Sequence, residues 1–455
     1  ISECLVGSEM CIRDRYWTIG ILLYVSFTAV LIKNPDFLLM HFMSLGTFLV
    51  FAITVTASYK KRKRFFTGQN LFFTVLTCLV IEATFFQLAS WFIDRDFFVF
   101  SKVDAMGYYL GSLRMSKMGI AESLRYLFQN NSFDDCGTFL WVTAIFRIVP
   151  SILFLNFLCC IMGAISALMM FNIGRSLMPK RYAYMAALTF SIASFTARHC
   201  VGVNKENVTS FLILAAFYFF YIYLRRKNRI HLVFSLLFSL SMLLFRVPVS
   251  LLLLFSLGLT LVLMYSKGLV AMIFGVLLSI VVYSSSLFVL TYERYLRGGD
   301  TEAIIERKME MAGGGGIVNQ AADSLAAFAG PFPSIMMKVV KYTPFFASGL
   351  LFRALLAAPF FVGVYFAFRH KYKRLYPLIF FFLANALGVA ISVKGLEYRL
   401  SHPHMAMMYL VAFWMLAKYD YHRVRHQLPA IVVSGWFILV AMMCLICLLY
   451  TSPSP

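Results

Sequence analysis

Stretches of about 20 residues with almost no charge recur along this sequence, and each is long enough to cross a bilayer as a helix. About thirteen such spans can be placed, near 16–32, 37–57, 71–93, 150–174, 182–197, 207–224, 230–246, 247–266, 269–291, 345–368, 375–393, 404–418 and 428–446. Hydrophobic residues make up 61% of the 455, and charged residues only 13%. A soluble domain carries about twice that charge, so this chain cannot cover a water-facing surface. A soluble enzyme, a disordered tail and a disulfide-stapled secreted domain are excluded. The expected fold is all-α, a polytopic integral membrane protein.

The net charge of +21 has a topological meaning. Basic clusters fall at Lys60–Arg64, Arg175 with Lys180 and Arg181, Arg225–Arg229, Lys267, Arg369–Arg374 and Lys418–Arg425. With thirteen spans they all lie on one side, which the positive-inside rule makes cytoplasmic. Among carboxylates only Asp420 joins them, and nearly all the others lie opposite. This is the pattern of membrane loops, and no nucleic-acid partner is expected.

The two ends, 1–15 and 447–455, resemble a sequencing adapter translated from its two strands, so 16–446 is the expected biological segment. Cys78, Cys159, Cys160 and Cys444 sit in apolar runs, where cysteine serves as a small hydrophobe. Cys136 and Cys200 fall in loops on the same outer side, close enough in topology for a disulfide.

Two outer loops are long, about 94–149 and 292–343. In the first, 105–129 places Met106, Tyr109, Leu110, Leu113, Ile120, Leu124, Leu127 and Phe128 at three- and four-residue spacing, which predicts an amphipathic helix in the membrane interface. The second carries Gly313–Gly316 and Gly330-Pro331-Phe332-Pro333, a flexible hinge and not a phosphate loop, since no Gly-Lys-Ser/Thr follows.

The polar residues of the outer side are the candidate chemistry. Asp104 reads either as a general base at the membrane surface or as the N-cap of the loop helix. Asp134 and Asp135 read as a second acid or divalent-metal ligands, or as caps of a helix starting near Gly137. In Asn204-Lys205-Glu206, with Arg198 and His199 nearby, the lysine and arginine suit a lipid-linked phosphate at headgroup level, or simple snorkelling to lipids. Arg246, Arg399, Glu397, His402 and His404 lie at similar depth. Arg353 is deeper and needs a cavity or a partner, and Glu82 is a mid-span acid.

The order of these motifs resembles a known family. Asp104-Ala105-x-x-Tyr108 opens the first loop, and Asp135-Cys136-Gly137-Thr138-Phe139-Leu140-Trp141 follows. Then come a span with Leu155–Gly163 that ends at Arg175, Lys205-Glu206, the Gly-Pro-Phe-Pro loop, and Glu397–His404 before a late span. Over roughly 95–420 this resembles the GT-C bacterial membrane glycosyltransferases that use polyprenyl-phosphate sugars, and the related O-antigen and capsule polymerases. It departs from the commonest pattern in having three spans before the Asp loop and one acid in place of a pair. The resemblance implies transfer of a sugar to a glycan or lipid acceptor at the extracytoplasmic face of the bacterial inner membrane. Asp104 would be the base. Lys205, Arg246 and Arg399 would hold the donor phosphate, and Arg198, Glu206, Tyr108, Asp134, Asp135 and His402 would contribute to substrate binding. The resemblance specifies no cofactor, and a divalent metal, magnesium or manganese, is compatible. The alternatives are a polysaccharide polymerase and a non-enzymatic lipid or sugar transporter, for which charged or broken helices near the bilayer midplane would be the mark.

Overall fold

The computed structural model describes residues 66–98, 102–130, 135–265, 328, 347–391 and 398–421. Among the described residues every regular element is helical. In chain order they are α1 (Gly68–Asp94), α2 (Lys102–Ser116), α3 (Ile120–Asn130), α4 (Cys136–Ile148), α5 (Ile152–Arg175), α6 (Lys180–Ser191), α7 (Ser194–His199), α8 (Lys205–Arg226), α9 (Arg229–Ser241, extended by a 3₁₀ turn Met242–Leu244), α10 (Val247–Tyr265), α11 (Ala347–Arg369), α12 (Tyr376–Ile391) and α13 (Tyr398–Tyr421). Four segments are long and apolar enough to cross a membrane: Gly68–Phe92, Ile152–Arg175, Lys205–Arg226 and Val247–Tyr265. The expected spans at 16–32, 37–57, 269–291 and 428–446, the second long loop apart from Phe328, and both adapter-like ends lie outside the described residues.

Local chemistry sets the helix ends. The Thr67 hydroxyl accepts from the Asn70 amide at 3.1 Å and Ser151 from Phe154 at 3.4 Å, each satisfying a first-turn N–H. Arg95 and Lys227 close α1 and α8 in the left-handed conformation, with φ of 57° at both.

Two expectations are corrected. The run 182–197 is not one span: α6 stops at Ser191, and α7 restarts at Ser194 after Ile192 and Ala193. Both pieces are largely enclosed, with residues 188–203 all buried, so the backbone groups freed by the break are shielded by protein. The 105–129 helix is two helices, α2 and α3, which turn at Lys117–Gly119. Arg147 of α4 holds that corner through Nη2, donating to the Met118 carbonyl at 3.1 Å and the Ser123 hydroxyl at 2.9 Å. Only α3 is strongly two-faced: Ser123 and Leu127 are buried, while Ile120, Leu124 and Phe128 are exposed. The cysteine expectation is also corrected, because Cys136 and Cys200 are both buried free thiols.

In the core α13 packs against α11, α12, α6 and α8, while α5 joins α6 to α8 and also packs on α1. Leu410 to Ala412 of α13 and Ala186 to Leu188 of α6 are fully enclosed. The basic loops gather at one end of this bundle. Tyr221 of α8 donates to the Arg374 carbonyl at 2.5 Å, and Lys373 Nζ donates to the Leu263 carbonyl at 2.9 Å. Lys227 bonds the Tyr265 hydroxyl, and Lys418 lies 5.1 Å from the Tyr372 ring centre. The N-terminus of α8 therefore lies at the opposite end, and that end carries the polar residues of interest.

Small hydroxyl side chains let α8, α9 and α10 approach closely. Ser235 donates to the Ala216 carbonyl at 2.9 Å, and Ser250 to the Ser239 carbonyl at 2.5 Å, all of it buried. Ser235→Leu should therefore overpack the α8–α9 seam and lower stability by about 1–3 kcal/mol. The control Leu237→Ala, at a position 51% exposed, should change the thermal unfolding midpoint in detergent little.

Candidate functional site

Lys205 and Glu206 are consecutive residues in the first turn of α8. Neighbours on a helix point about 100° apart, so the two side chains reach different partners. Lys205 Nζ meets Asp135 Oδ1 at 2.6 Å, and Arg246 Nη2 meets Glu206 Oε1 at 2.8 Å. Glu206 is only 4% exposed, a burial that a carboxylate tolerates when it is paired. The positive end of the α8 dipole also favours an acid there. The N-cap residue Asn204 does not cap; its amide turns back to the Val201 carbonyl at 2.5 Å.

Asp135 is the N-cap residue of α4, yet its side chain makes no capping bond. Its Oδ1 instead accepts from both Lys205 and the Tyr108 hydroxyl, each at 2.6 Å. The capping alternative for this residue is overturned, because an ammonium and a phenol are stronger partners than the α4 amides. Burial, then the charge of Asp135 and its hydrogen bond, then the charges of Glu206 and Asp104, push the Tyr108 phenol well above its ordinary range. Tyr108 is therefore a fixed neutral donor.

Close packing brings α4 and the start of α10 to this point. A Cβ on Gly137 would lie 2.6 Å from the Phe245 ring, so only glycine lets Phe245 seat on the first turn of α4. Arg246 follows directly and reaches Glu206. The loop before α8 requires glycine at 202, where φ is +75° and a Cβ would lie 2.9 Å from the Phe98 carbonyl oxygen, and its strain falls on the next residue. The buried, β-branched Val203 has φ 52°.

A second layer lies behind the first. Arg198 and His199 close the short α7, and both are buried. The rings of His199 and His402 are 4.4 Å apart, and His402 stacks on Phe190 at 5.4 Å. Arg353, 2% exposed, donates through Nη1 to the Ser401 hydroxyl at 2.9 Å and covers the Phe195 ring at 4.2 Å. His404 Nδ1 lies 2.6 Å from Asn385 Nδ2. Glu206 links the layers, since its charge acts on both Tyr108 and His402.

The sequence-predicted residues are thus placed as follows. Tyr108, Asp135, Lys205, Glu206 and Arg246 come together, with His402 behind Glu206. Asp104 is exposed in the first turn of α2, one turn before Tyr108 and on the same face; α2 starts at Lys102, so Asp104 is inside the helix and not its N-cap. Arg198 belongs to the buried layer, and Arg399 lies in the first turn of α13. Asp134 is outside the described residues. Glu82 is buried in α1 near Cys78 and Cys200. Ser401 and Asn385 had not been singled out. Asn385 had a signal in the sequence, an amide inside the apolar run 375–393. Asn207, a formal glycosylation sequon, is buried and donates to the Cys159 carbonyl at 2.9 Å, so it accepts no glycan.

Among the described residues no three His, Cys, Asp or Glu side chains converge on a point that would hold a metal ion. Asp135 Oδ1, facing an ammonium and a phenol, is a poor ligand for a dication. In comparisons with known proteins the chain matches no family model and no curated relative.

Two outcomes test this geometry. Arg246→Met should cost about 3 kcal/mol by removing a guanidinium from a buried acid, and Glu206→Gln in the same chain should restore much of that loss in thermal unfolding. An ordinary tyrosine ionises near pH 10. Because the Tyr108 pKa is raised, its neutral phenol persists through that range, and Tyr108→Phe should leave the tyrosinate absorbance at pH 10 to 11 unchanged.

Proposed function

We propose that this chain is a membrane glycosyltransferase of the GT-C type. It would move a sugar from a polyprenyl-phosphate carrier to a glycan or lipid acceptor at the outer face of a bacterial inner membrane, within a bundle of about thirteen spans. The observation that carries this reading is the cluster at the N-terminus of α8. Two cations, Lys205 and Arg246, and two acids, Asp135 and Glu206, are drawn from distant parts of the chain to the end opposite the basic loops.

The chemistry follows from the groups. The acceptor hydroxyl loses its proton to a carboxylate as its oxygen attacks the anomeric carbon. The bond from that carbon to the phosphate oxygen breaks, and polyprenyl phosphate leaves as the anion. Asp135 and Glu206 are each held by a cation, which makes them weak bases. Asp104, exposed on the same face as Tyr108, suits the role of base better. Lys205 and Arg246, already oriented by their acids, would meet the charge that develops on the departing phosphate. No step requires a metal.

A transporter is the second reading, favoured by the buried break between α6 and α7 with Arg198 and His199 in its second half. Discontinuous helices in transporters place substrate at the interruption. A polymerase would use the same chemistry on a larger acceptor.

Purified protein should release polyprenyl phosphate from one member of a panel of polyprenyl-phosphate hexose and pentose donors when given membrane glycolipid acceptors. Asp104→Asn should lower turnover by roughly 10²–10⁴-fold with membrane insertion intact, as removal of a general base does. Lys205→Met should lower it by roughly 10²-fold, as loss of a transition-state charge does. Unchanged turnover in Asp104→Asn excludes it as the base. Substrate flux across liposomes without carrier cleavage would favour the transporter.

A further inference from the structure

At the end of the bundle that gathers the basic loops, two lysines from separate turns converge on the last turn of α10. Lys227 closes α8 in the left-handed conformation, and its Nζ bonds the Tyr265 hydroxyl and lies 4.7 Å from the centre of that ring. Lys373, in the turn between α11 and α12, donates through Nζ to the Leu263 carbonyl at 2.9 Å. Both partners are neutral groups, and among the described residues no carboxylate pairs with either lysine. Arg225, Arg226, Arg229, Lys371 and Arg374 are exposed at the same two turns, so like charges crowd there.

The groups that meet there keep donors to spare. Each ammonium has three N–H groups and uses one, and the Tyr265 hydroxyl, which accepts from Lys227, still has its own proton to donate. Lys227, Lys373 and Tyr265 are all exposed, Tyr265 by 58%, so a ligand reaches them without any rearrangement of the core. Beside this turn α9 begins at Arg229 and presents Ile230, Val233, Leu237 and Leu240 along one face, between 47% and 59% exposed. This helix packs on α10, which is long and apolar enough to cross a membrane, so its bare apolar face meets hydrocarbon. A cationic rim with a hydroxyl donor, set directly against an exposed apolar face, has the polarity that complements an anion attached to acyl chains.

We infer that the last turn of α10 binds one anionic phospholipid, whose phosphate accepts from Lys227 Nζ, Lys373 Nζ and the Tyr265 hydroxyl while its acyl chains run along α9. Basic pockets between membrane-crossing helices suit such headgroups. A zwitterionic headgroup would bring its own ammonium beside the exposed arginines, and a soluble anion would leave the α9 face unused. The site stands at the opposite end of the bundle from Lys205 and Arg246, and it is independent of the transferase reading.

The test uses the full chain purified in mild detergent, with binding of phosphatidylglycerol and phosphatidylethanolamine of equal chain length followed by native mass spectrometry. One lysine near an anionic headgroup is worth about five-fold in affinity. Lys227→Gln and Lys373→Gln should each weaken phosphatidylglycerol by about that factor, and the double variant should lose the wild type's preference for it over phosphatidylethanolamine. Lys180→Gln is the control for diffuse attraction, because Lys180 is an exposed cation of the same end on α6, which packs on α5 and α13, whereas α10 packs on α9 and α12. Its affinity for phosphatidylglycerol should match the wild type. Equal affinity of the wild type for the two lipids, or an equal loss in Lys180→Gln, would overturn the proposal. Full displacement of the lipid by glycerophosphoglycerol, the same headgroup without acyl chains, would overturn it in favour of a soluble-anion site. Should Lys227→Gln fail to fold, Lys373→Gln, whose lysine lies in a separate exposed turn, decides the matter against the same control.

Discussion

The pairing of Glu206 with Arg246 is the constraint around which the described outer end of the bundle is arranged. A carboxylate 4% exposed at the end of a bundle-core helix demands a cation nearby. Meeting that demand ties the start of α10 to the start of α8. Seating Arg246 there presses Phe245 onto Gly137, which brings the first turn of α4 and with it Asp135. Asp135 in turn captures Lys205, the residue beside Glu206, and Tyr108 from α2. Four segments separated by up to 138 positions, Tyr108 to Arg246, are thus locked around one helical turn. Attraction between charges at this boundary is worth more than at a wet surface, because water screens it on fewer sides.

Much of this was legible in the sequence, and the parts that were not share a cause. Charge distribution along the chain predicted which helix ends meet, because lysine and arginine at helix ends leave only one inexpensive place to go. The contacts of Lys227, Lys373 and Lys418 at a common end agree with that grouping. Apolar runs found every long helix that the structure describes. They could not find the break at Ile192-Ala193, since residues 182–197 remain apolar through it. Hydropathy reports burial, whereas the interruption is a matter of backbone hydrogen bonds, and the Thr196 hydroxyl bonding back to the Phe190 carbonyl at 2.7 Å leaves no periodic trace. The turn at Lys117–Gly119 escaped for a similar reason, because Ile120, Leu124 and Phe128 continue in near-phase with Met106 and Leu110.

For the site, residue type was informative and partner identity was not. Asp135 looked equally like a cap and like a site acid, because both uses need a short carboxylate before a helix. Only the tertiary approach of Lys205 and Tyr108 separates them. Arg246, expected from the resemblance to hold a phosphate, spends one nitrogen on Glu206 and has further guanidinium donors. Lys205 is in the same position. A cation that is held by an acid is oriented before any substrate arrives, which limits the reorganisation needed when negative charge appears beside it.

The loop at Gly202 and Val203 bears on both functional readings. A β-branched residue at φ 52° is held in a conformation that costs on the order of 1–3 kcal/mol. Nothing in the packing of α8 alone requires this, since a relaxed loop of the same length could also begin a helix at Lys205. What the strained geometry does is direct the Gly202 N–H at Asn156 while keeping Lys205 and Glu206 in register with Asp135 and Arg246. The loop therefore links the buried Gln87–Asn156 pair to the charged cluster. Among the described non-glycine residues with positive φ only Val203 is β-branched, and it stands two residues before the ion-paired first turn of α8.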